Sequence, residues 1–149
     1  MHIWVDADSC PKAIKNILFK AAVRTRIPVT LVANRPLHVP SSPFIKSILV
    51  PGGADVADAF IAERVQSGEL VITDDVPFAA KVISKGGLVL TTRGKWLTSQ
   101  NIGEALSFRN FKEELRGSGI DIGGPPSPSL RDRQNFSNRL DRFLSGLSA

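Results

Sequence analysis

Hydrophobic residues fall in five short runs along the first two-thirds of the chain. Each run is rich in Val, Ile and Leu, which predicts a buried β-strand. The predicted strands cover residues 2–6, 29–33, 45–50, 69–73 and 88–92. Strands that are apolar on both faces and alternate with helices are typical of a parallel sheet covered by helices. The sequence therefore predicts an α/β fold with a mostly parallel central sheet of about five strands flanked by helices.

Helical periodicity between these strands predicts the covering layers. After Pro11, apolar residues recur at the spacing of one helical face, and Pro28 ends the helix. The buried stripe of this helix is predicted to be Ile14, Ile17, Leu18, Ala21 and Ala22. Further helices are predicted over residues 54–65 and through Pro77 to about Ser84. Helices thus follow the first, third and fourth strands.

The pattern changes after Arg93. A helix is predicted from Asn101 to Arg116, and an amphipathic helix from Arg131 to Leu147. Core contacts are expected from Ile102, Ala105, Leu106 and Leu115 of the first, and from Phe136, Leu140, Phe143, Leu144 and Leu147 of the second. Ten of the thirteen residues 117–129 are Gly, Pro or Ser, which predicts a loop or linker.

These patterns divide the chain into three parts. We predict an α/β domain over residues 1–116, a Gly/Pro/Ser-rich connection over 117–130 and a C-terminal helix over 131–149. The helix is expected to pack on the domain or on a second copy of the chain, which makes a homo-oligomer one expectation. Within the connection, Gly123, Gly124 and Pro125 form either a structural kink or a lid.

Composition favours an ordinary globular domain in a reducing compartment. The chain has 149 residues, of which 42% are hydrophobic and 22% charged. Cys10 is the single cysteine, so an intrachain disulfide is excluded, and with only His2 and His38 a zinc site is disfavoured. The apolar runs are too short for a membrane span, and the opening residues do not resemble a signal peptide. We therefore expect a cytoplasmic protein without a membrane partner.

Charge is segregated along the chain. The formal net charge is +5, and residues 9–54 contain no acidic residue. The basic residues of this stretch are Lys12, Lys15, Lys20, Arg24, Arg26, Arg35 and Lys46. A basic surface of this kind suggests RNA or another polyanion as a partner, although a solvated helix face produces the same pattern.

Aspartates occur in pairs after three of the predicted strands. The pairs are Asp6 with Asp8, Asp55 with Asp58, and Asp74 with Asp75. The carboxyl ends of parallel strands meet at one edge of the sheet, where six carboxylates repel one another unless a cation neutralises them. Oxygen ligands suit Mg²⁺ or Mn²⁺. Helix capping is the alternative interpretation, but one cap needs one aspartate, so we favour the metal site.

Two reaction classes fit such a site. The first is phosphodiester hydrolysis assisted by Mg²⁺ or Mn²⁺. The second uses an aspartyl intermediate, because the sequence DADSC resembles the haloacid-dehalogenase phosphatase signature. That resemblance implies Asp6 as nucleophile, Asp8 as acid/base and Asp75 as a holder of Mg²⁺. However, Cys10 stands where the signature has Thr, and Asn34 follows the second strand where Ser or Thr is expected.

Longer motifs spread over the chain resemble one bacterial family. They are DADSCP, VANRP, GADVADAFI, LVITDDVPFAAKVISKGG, RGKWLTSQNI, SGIDIGGPPS and DRQNFSNRLDRFL. In this order, and almost end to end, they are similar to the YaiI/YqxD family, whose members are described as uncharacterised proteins with a PIN-like domain. The resemblance implies a PIN-like fold. PIN domains are mostly ribonucleases whose clustered acidic residues bind Mg²⁺ or Mn²⁺.

The PIN pattern also implies roles for particular aspartates. It places catalytic carboxylates at Asp6 after the first strand, at Asp58 on a central helix and at Asp75 after the fourth strand. The implied metal ligands are these three with Asp8 and Asp55 in support. The family motif more often has Ala where this chain has Asp74, which marks Asp74 as an additional acid.

Five residues near the aspartates are candidates for binding a substrate phosphate. They are Ser9, Lys12, Lys15, Arg93 and Lys95. Capping, a solvated helix face and an ordinary turn are the respective alternatives. Trp96, in a predicted loop, is the candidate for stacking on a base, whereas Trp4 is expected in the core. Cys10 is interpreted as a small, partly buried residue at a helix cap rather than a nucleophile.

Three functions therefore fit the sequence. The first is a ribonuclease dependent on Mg²⁺ or Mn²⁺, in which Asp6, Asp58 and Asp75 carry the reaction. The second is an RNA-binding protein that keeps the fold without cleaving. The third is a small Mg²⁺-dependent phosphatase that uses Asp6.

Overall fold

One six-stranded sheet organises the parts of the chain that this computed structural model describes, residues 1–53, 55–120 and 127–147. The strands are β1 (Ile3–Asp6), β2 (Val29–Ala33), β3 (Ile45–Leu49), β4 (Leu70–Ile72), β5 (Leu88–Leu90) and β6 (Trp96–Leu97). The α-helices are α1 (Lys12–Thr25), α2 (Val56–Arg64), α3 (Val76–Ser84), α4 (Ile102–Gly117) and α5 (Leu130–Leu147). A single 3₁₀ turn over Ala7–Ser9 joins β1 to α1.

The strand order is β3-β2-β1-β4-β5-β6. Neighbouring strands are parallel from β3 to β5, and only the short pair of β5 and β6 is antiparallel. The predicted α/β class, with a mostly parallel sheet, flanking helices and a C-terminal helix, is confirmed. The additional sixth strand has two residues, which is too short to produce a period-2 pattern in the sequence.

The side chains of β1 divide between two hydrophobic layers because successive residues of a strand point to opposite faces. Ile3 and Val5 belong to the layer beneath α1 and α5, whereas Trp4 belongs to the layer beneath α2 and α3. Trp4 is 8% exposed, as expected for a core residue, and its indole Nε1 donates to Glu69 at 3.2 Å. Helices on both faces explain why β1, β2 and β4 are buried along their whole lengths.

The prediction that every strand is covered on both faces is wrong for β3. Only Ile45 of this strand is buried, while Lys46, Ser47 and Leu49 are exposed. The reason is its position, because β3 lies at one edge of the described sheet, where it pairs with β2. The basic and polar side chains of β3 suit an edge that must not pair with another chain.

Helix α5 packs on the α/β domain against α1. Its buried residues are Phe136, Leu140 and Leu144, as predicted, and Phe143 is half-buried. The predicted stripe extends one residue too far, because Leu147 is 45% exposed. The boundaries at 116 and 130 stay predictions, and Gly123, Gly124 and Pro125 lie outside the described residues.

Helix α4 is more exposed than its sequence predicts. No residue of α4 is buried, although Ile102 and Ala105 pack against the core at the first turns. Leu106 and Leu115 are only half-buried. None of the helices in the described part of the chain combines the length and hydrophobicity that a membrane span needs.

Candidate functional site

A cleft opens at the carboxyl ends of the central strands. The chain moves outward from β1 to β3 on one side of the sheet and from β4 to β6 on the other. The connections after β1 and β4 therefore diverge, and such a point is the usual ligand site of an open parallel sheet. The cleft here has a volume of about 1340 Å³, and all three aspartate pairs line it.

Asp6 forms a buried part of this site. It ends β1 and is 8% exposed. Its carboxylate Oδ2 accepts hydrogen bonds from the hydroxyl groups of Thr73 at 3.1 Å and Ser9 at 3.3 Å. The Thr73 hydroxyl also accepts from the backbone N–H of Asp75 at 3.1 Å, so one threonine fixes the ends of β1 and β4 together. Burial raises the pKa of Asp6, and the two hydroxyl bonds oppose that rise.

Asp55, Asp58 and Asp75 form a compact acidic cluster. One carboxylate oxygen from each residue lies within 4.8 Å of the others. Asp55 sits at the N-cap of α2 with φ of 63°, a left-handed conformation that Asp tolerates better than most residues. Asp58 lies in the first turn of α2. Asp75 caps α3, and its Oδ1 accepts from the backbone N–H of Phe78 at 3.0 Å.

Asp58 is partly buried and surrounded by the negative charges of other aspartates. Burial, followed by the charges of Asp6, Asp75 and Asp55, raises the pKa of Asp58 to about 7. A bound cation would reverse the electrostatic part of this effect. The donor set contains carboxylate oxygens only, which fits Mg²⁺ or Mn²⁺ and does not fit zinc. The residues present are therefore suited to hold a hard divalent cation.

The raised pKa of Asp58 predicts a pH-dependent stability for the metal-free protein. Below about pH 4 the side chain is protonated in both folded and unfolded states, so it costs nothing. Between about pH 4 and pH 7 the unfolded state has lost this proton while the folded state keeps it, so stability falls as the pH rises through this window and stays low above about pH 7. We expect Asp58→Asn to raise the free energy of unfolding at pH 8 by about 1–2 kcal/mol, after discounting for solvent screening.

Urea unfolding in EDTA at pH 5 and pH 8 measures this effect. The gain from Asp58→Asn should be smaller at pH 5, where wild-type Asp58 is largely protonated. Mn²⁺ should stabilise the wild type at pH 8 more than it stabilises the variant. The control is Asp141→Asn, because Asp141 pairs with Arg24 on the surface and lies outside the cleft. An equal gain at both pH values contradicts the assignment.

Asp8 and Asp74 have other partners. The carboxylate of Asp8 accepts from the backbone N–H of Asn34 at 2.9 Å and lies 4.0 Å from Arg35 Nε. Asp74 accepts from the backbone N–H of Thr92 at 2.8 Å and from its hydroxyl at 2.6 Å. Through these hydrogen bonds, Asp8 and Asp74 each stabilise a neighbouring loop. Among the six paired aspartates, all within the described residues, only Asp75 makes a side-chain cap bond, so capping does not explain the set.

The predicted phosphate-binding residues divide into two groups. Ser9, Arg93 and Lys95 line the cleft. Arg93 also donates to Asp132 of α5 at 2.6 Å, so the C-terminal helix contributes to the position of this side chain. Lys12 and Lys15 are not among the described residues that line the cleft, because its wall on this side ends at Pro11. A phosphate-binding role for these two lysines stays a prediction.

Trp96 and Cys10 are not among the described residues that line the cleft. Trp96 lies in β6 rather than in a loop, and its ring packs edge-on against Phe143 of α5 with centroids 5.4 Å apart. Placing it in a loop was wrong, because Trp96 and Leu97 pair with β5 as a short antiparallel strand that was not predicted from the sequence. Cys10 is 6% exposed and thus more deeply buried than the partly buried residue that was predicted, and burial raises the pKa of its thiol to about 12. At neutral pH it is therefore a thiol and a poor nucleophile.

The part of the cleft wall that belongs to α4 was not predicted from the sequence. Helix α4 supplies much of that wall through Phe108, Arg109, Phe111, Lys112 and Arg116. The signal was present as FRNFK, in which aromatic and basic residues alternate within one helical turn. Sequence reasoning also missed Thr73, whose hydroxyl connects Asp6 to Asp75. No sequence pattern distinguishes that threonine from an ordinary strand residue.

The fold and the site together define a class of protein. It is an α/β protein in which carboxylates from different elements meet at the point where a parallel sheet reverses its strand order. The model of the family described as "Uncharacterized BCR, YaiI/YqxD family" matches residues 4–146. The chain belongs to this family.

Similar proteins occur in several bacteria. A UPF0178 protein of Shewanella amazonensis is 56% identical over 147 residues, which cover 99% of each chain. A UPF0178 protein of Paucimonas lemoignei is 56% identical over 145 residues, covering 97% of this chain and 94% of the relative. A third, from Thioalkalivibrio sulfidiphilus, is 55% identical over 97% of this chain and 99% of its own. No solved structure matches this chain, so the PIN-like assignment stays a prediction.

Proposed function

We propose that this protein is a nuclease that hydrolyses phosphodiester bonds of RNA with Mg²⁺ or Mn²⁺. The observation that carries the proposal is the acidic cluster of Asp55, Asp58 and Asp75, whose carboxylate oxygens lie within 4.8 Å of one another. Like charges at this separation oppose folding unless a cation or a proton neutralises them. In the metal-free protein, burial and then the neighbouring carboxylates raise the pKa of Asp58.

Each aspartate has a separate part in this proposal. Asp58 and Asp75 hold the cation, and Asp55 joins them because the left-handed turn before α2 directs it to the same point. Asp6 lies close enough to raise the pKa of Asp58, and Thr73 and Ser9 hold its carboxylate in one orientation. Asp8 stays an outer supporting acid, since Asn34 and Arg35 already engage it. When bound, the cation supplies an activated water and stabilises the leaving oxygen.

The remaining lining of the cleft favours a polymeric phosphate. Arg93 and Lys95 after β5, and further cations on α4, line the same cleft as the acids. Side chains of this type bind the phosphates of a nucleic-acid backbone without reading its sequence. The volume of about 1340 Å³ also exceeds the roughly 300–1,000 Å³ of a typical small-molecule site. A chain of nucleotides therefore suits the cleft better than a small phosphomonoester does.

The test is cleavage of a labelled single-stranded RNA by the purified full chain in Mn²⁺, in Mg²⁺ and in EDTA. We expect cleavage with either ion and none in EDTA. RNA binding without cleavage under any of these conditions would support a non-catalytic RNA-binding protein instead. Turnover of a phosphomonoester, with phosphate trapped on Asp6, would support the phosphatase. Either result overturns the proposed nuclease.

A further inference from the structure

Helix α4 exposes two aromatic side chains in the cleft. It has 16 residues and none of them is buried. Phe108 is 59% exposed and Phe111 is 55% exposed, although phenylalanine is usually a core residue. Both rings line the cleft that contains the acidic cluster. Their exposure is therefore concentrated beside the site where the proposed reaction takes place.

Cations alternate with these rings along the helix. Phe108, Lys112 and Arg116 are spaced four residues apart, so they follow one face of the helix. Lys112 Nζ lies 4.5 Å from the centroid of the Phe108 ring. Arg109 is paired with Glu113 of the next turn at 3.0 Å. Lys112 and Arg116 are thus the cations of α4 whose positions on this face suit contact with phosphate groups.

We propose that α4 binds single-stranded nucleic acid, with unpaired bases stacked on Phe108 and Phe111 and phosphates held by Lys112 and Arg116. Flat aromatic faces bind any exposed base, and flanking cations follow the backbone. Bases in a duplex are not available for such stacking, so the surface selects single strands. This inference rests on the proposed function, because it places the RNA strand in the same cleft as the proposed reaction.

The charge pattern favours this occupant over a second copy of the chain. The centre of a protein–protein interface is usually depleted of charged residues. Here Lys112 and Arg116 follow Phe108 on one helix face, and all three line the same cleft as the acidic cluster. Base stacking is thus assigned to α4 and not to Trp96, whose ring packs against Phe143 of α5.

Fluorescence anisotropy with a labelled single-stranded RNA in EDTA tests the proposal without cleavage. The double variant Phe108→Leu/Phe111→Leu keeps the apolar bulk and removes the aromatic faces. We expect it to raise Kd by about tenfold or more. The double variant Phe108→Trp/Phe111→Trp should keep wild-type affinity. Leu49→Ala, which changes a 62% exposed residue on the edge strand β3, is the matched control.

Comparison with an abasic strand of equal length and charge isolates the contribution of base stacking to the affinity. It should bind the wild type more weakly than the RNA does, and it should not distinguish the wild type from the leucine variant. An RNA duplex should bind the wild type more weakly than the single strand. Lys112→Ala and Arg116→Ala should each reduce the slope of log K against log salt by about one.

Three outcomes would overturn the proposal. One is equal affinity of the wild type and the leucine variant for the RNA. Another is equal affinity of the wild type for RNA and for the abasic strand. The third is a dimer in sedimentation that the leucine or tryptophan variants dissociate, which would assign the surface to a second copy. Because binding is measured in EDTA, an absence of cleavage tests the nuclease alone and leaves this assignment standing.

Discussion

Replacing Asp75 by Asn is expected to lower metal-dependent RNA cleavage by about a thousandfold without unfolding the protein. The loss follows because Asn removes one negative charge from the acidic cluster and weakens its hold on the cation. A factor of this size corresponds to about 4 kcal/mol of transition-state stabilisation. The measurement is the initial rate of cleavage of labelled RNA at the lowest Mn²⁺ concentration that saturates the wild type.

The fold should survive this change because Asn is also a good N-cap residue. Asp75 accepts from the backbone N–H of Phe78, and the side-chain oxygen of Asn can accept the same bond. Asp6→Asn should lose activity in the same way. Asp141→Asn is the control, since it changes an equivalent charge at the surface pair with Arg24. Full activity in Asp75→Asn or Asp6→Asn, with the fold confirmed by circular dichroism, would contradict the proposed mechanism.

The parallel sheet was predictable because its strands are apolar at consecutive positions. Residues of β1, β2 and β4 are buried on both faces, so consecutive positions must be apolar. The runs of Val, Ile and Leu in the sequence meet this requirement. The gathering of aspartates at one sheet edge was predictable for a related reason. Once the strands are parallel, the residues that follow them must share an edge. Sequence spacing therefore placed Asp6, Asp58 and Asp75 in one region.

Spacing could not predict which carboxylates lie within reach of a common ligand. Asp55 joins the three-residue cluster through a left-handed backbone conformation, whereas Asp8 turns to the backbone of Asn34. The first is a local backbone conformation, and the second is a contact between segments distant in sequence, and neither follows from the spacing of the aspartates. The aromatic wall of α4 was missed for a different reason. Periodicity identifies buried faces, and the predicted core contacts of α4 did not include Phe108 or Phe111, whose exposed rings leave no such signal.

Replacing Phe136 by Ala is expected to lower the free energy of unfolding by about 3–5 kcal/mol. Phe136 is fully buried between α5 and the sheet, in the same layer as Ile3, Val5 and Leu90. Its removal leaves a cavity that a rigid sheet fills poorly. This loss is a large fraction of the roughly 5–15 kcal/mol that stabilises a domain. Leu147→Ala, in the same helix but 45% exposed, should change stability by less than about 0.5 kcal/mol.

This comparison decides whether the C-terminal helix is a structural part of the domain that bears the site. A Cβ on Gly94 would lie 2.5 Å from the backbone nitrogen of Phe136, so α5 rests directly on the turn that carries Arg93 and Lys95. Arg139 also donates to the carbonyl of Gly94, and Asp132 holds Arg93. If α5 docked mainly on a second copy, Phe136→Ala would change a concentration-dependent dissociation and leave unfolding of the monomer unaffected. Urea unfolding at two protein concentrations separates these cases, and we expect the same large loss at both.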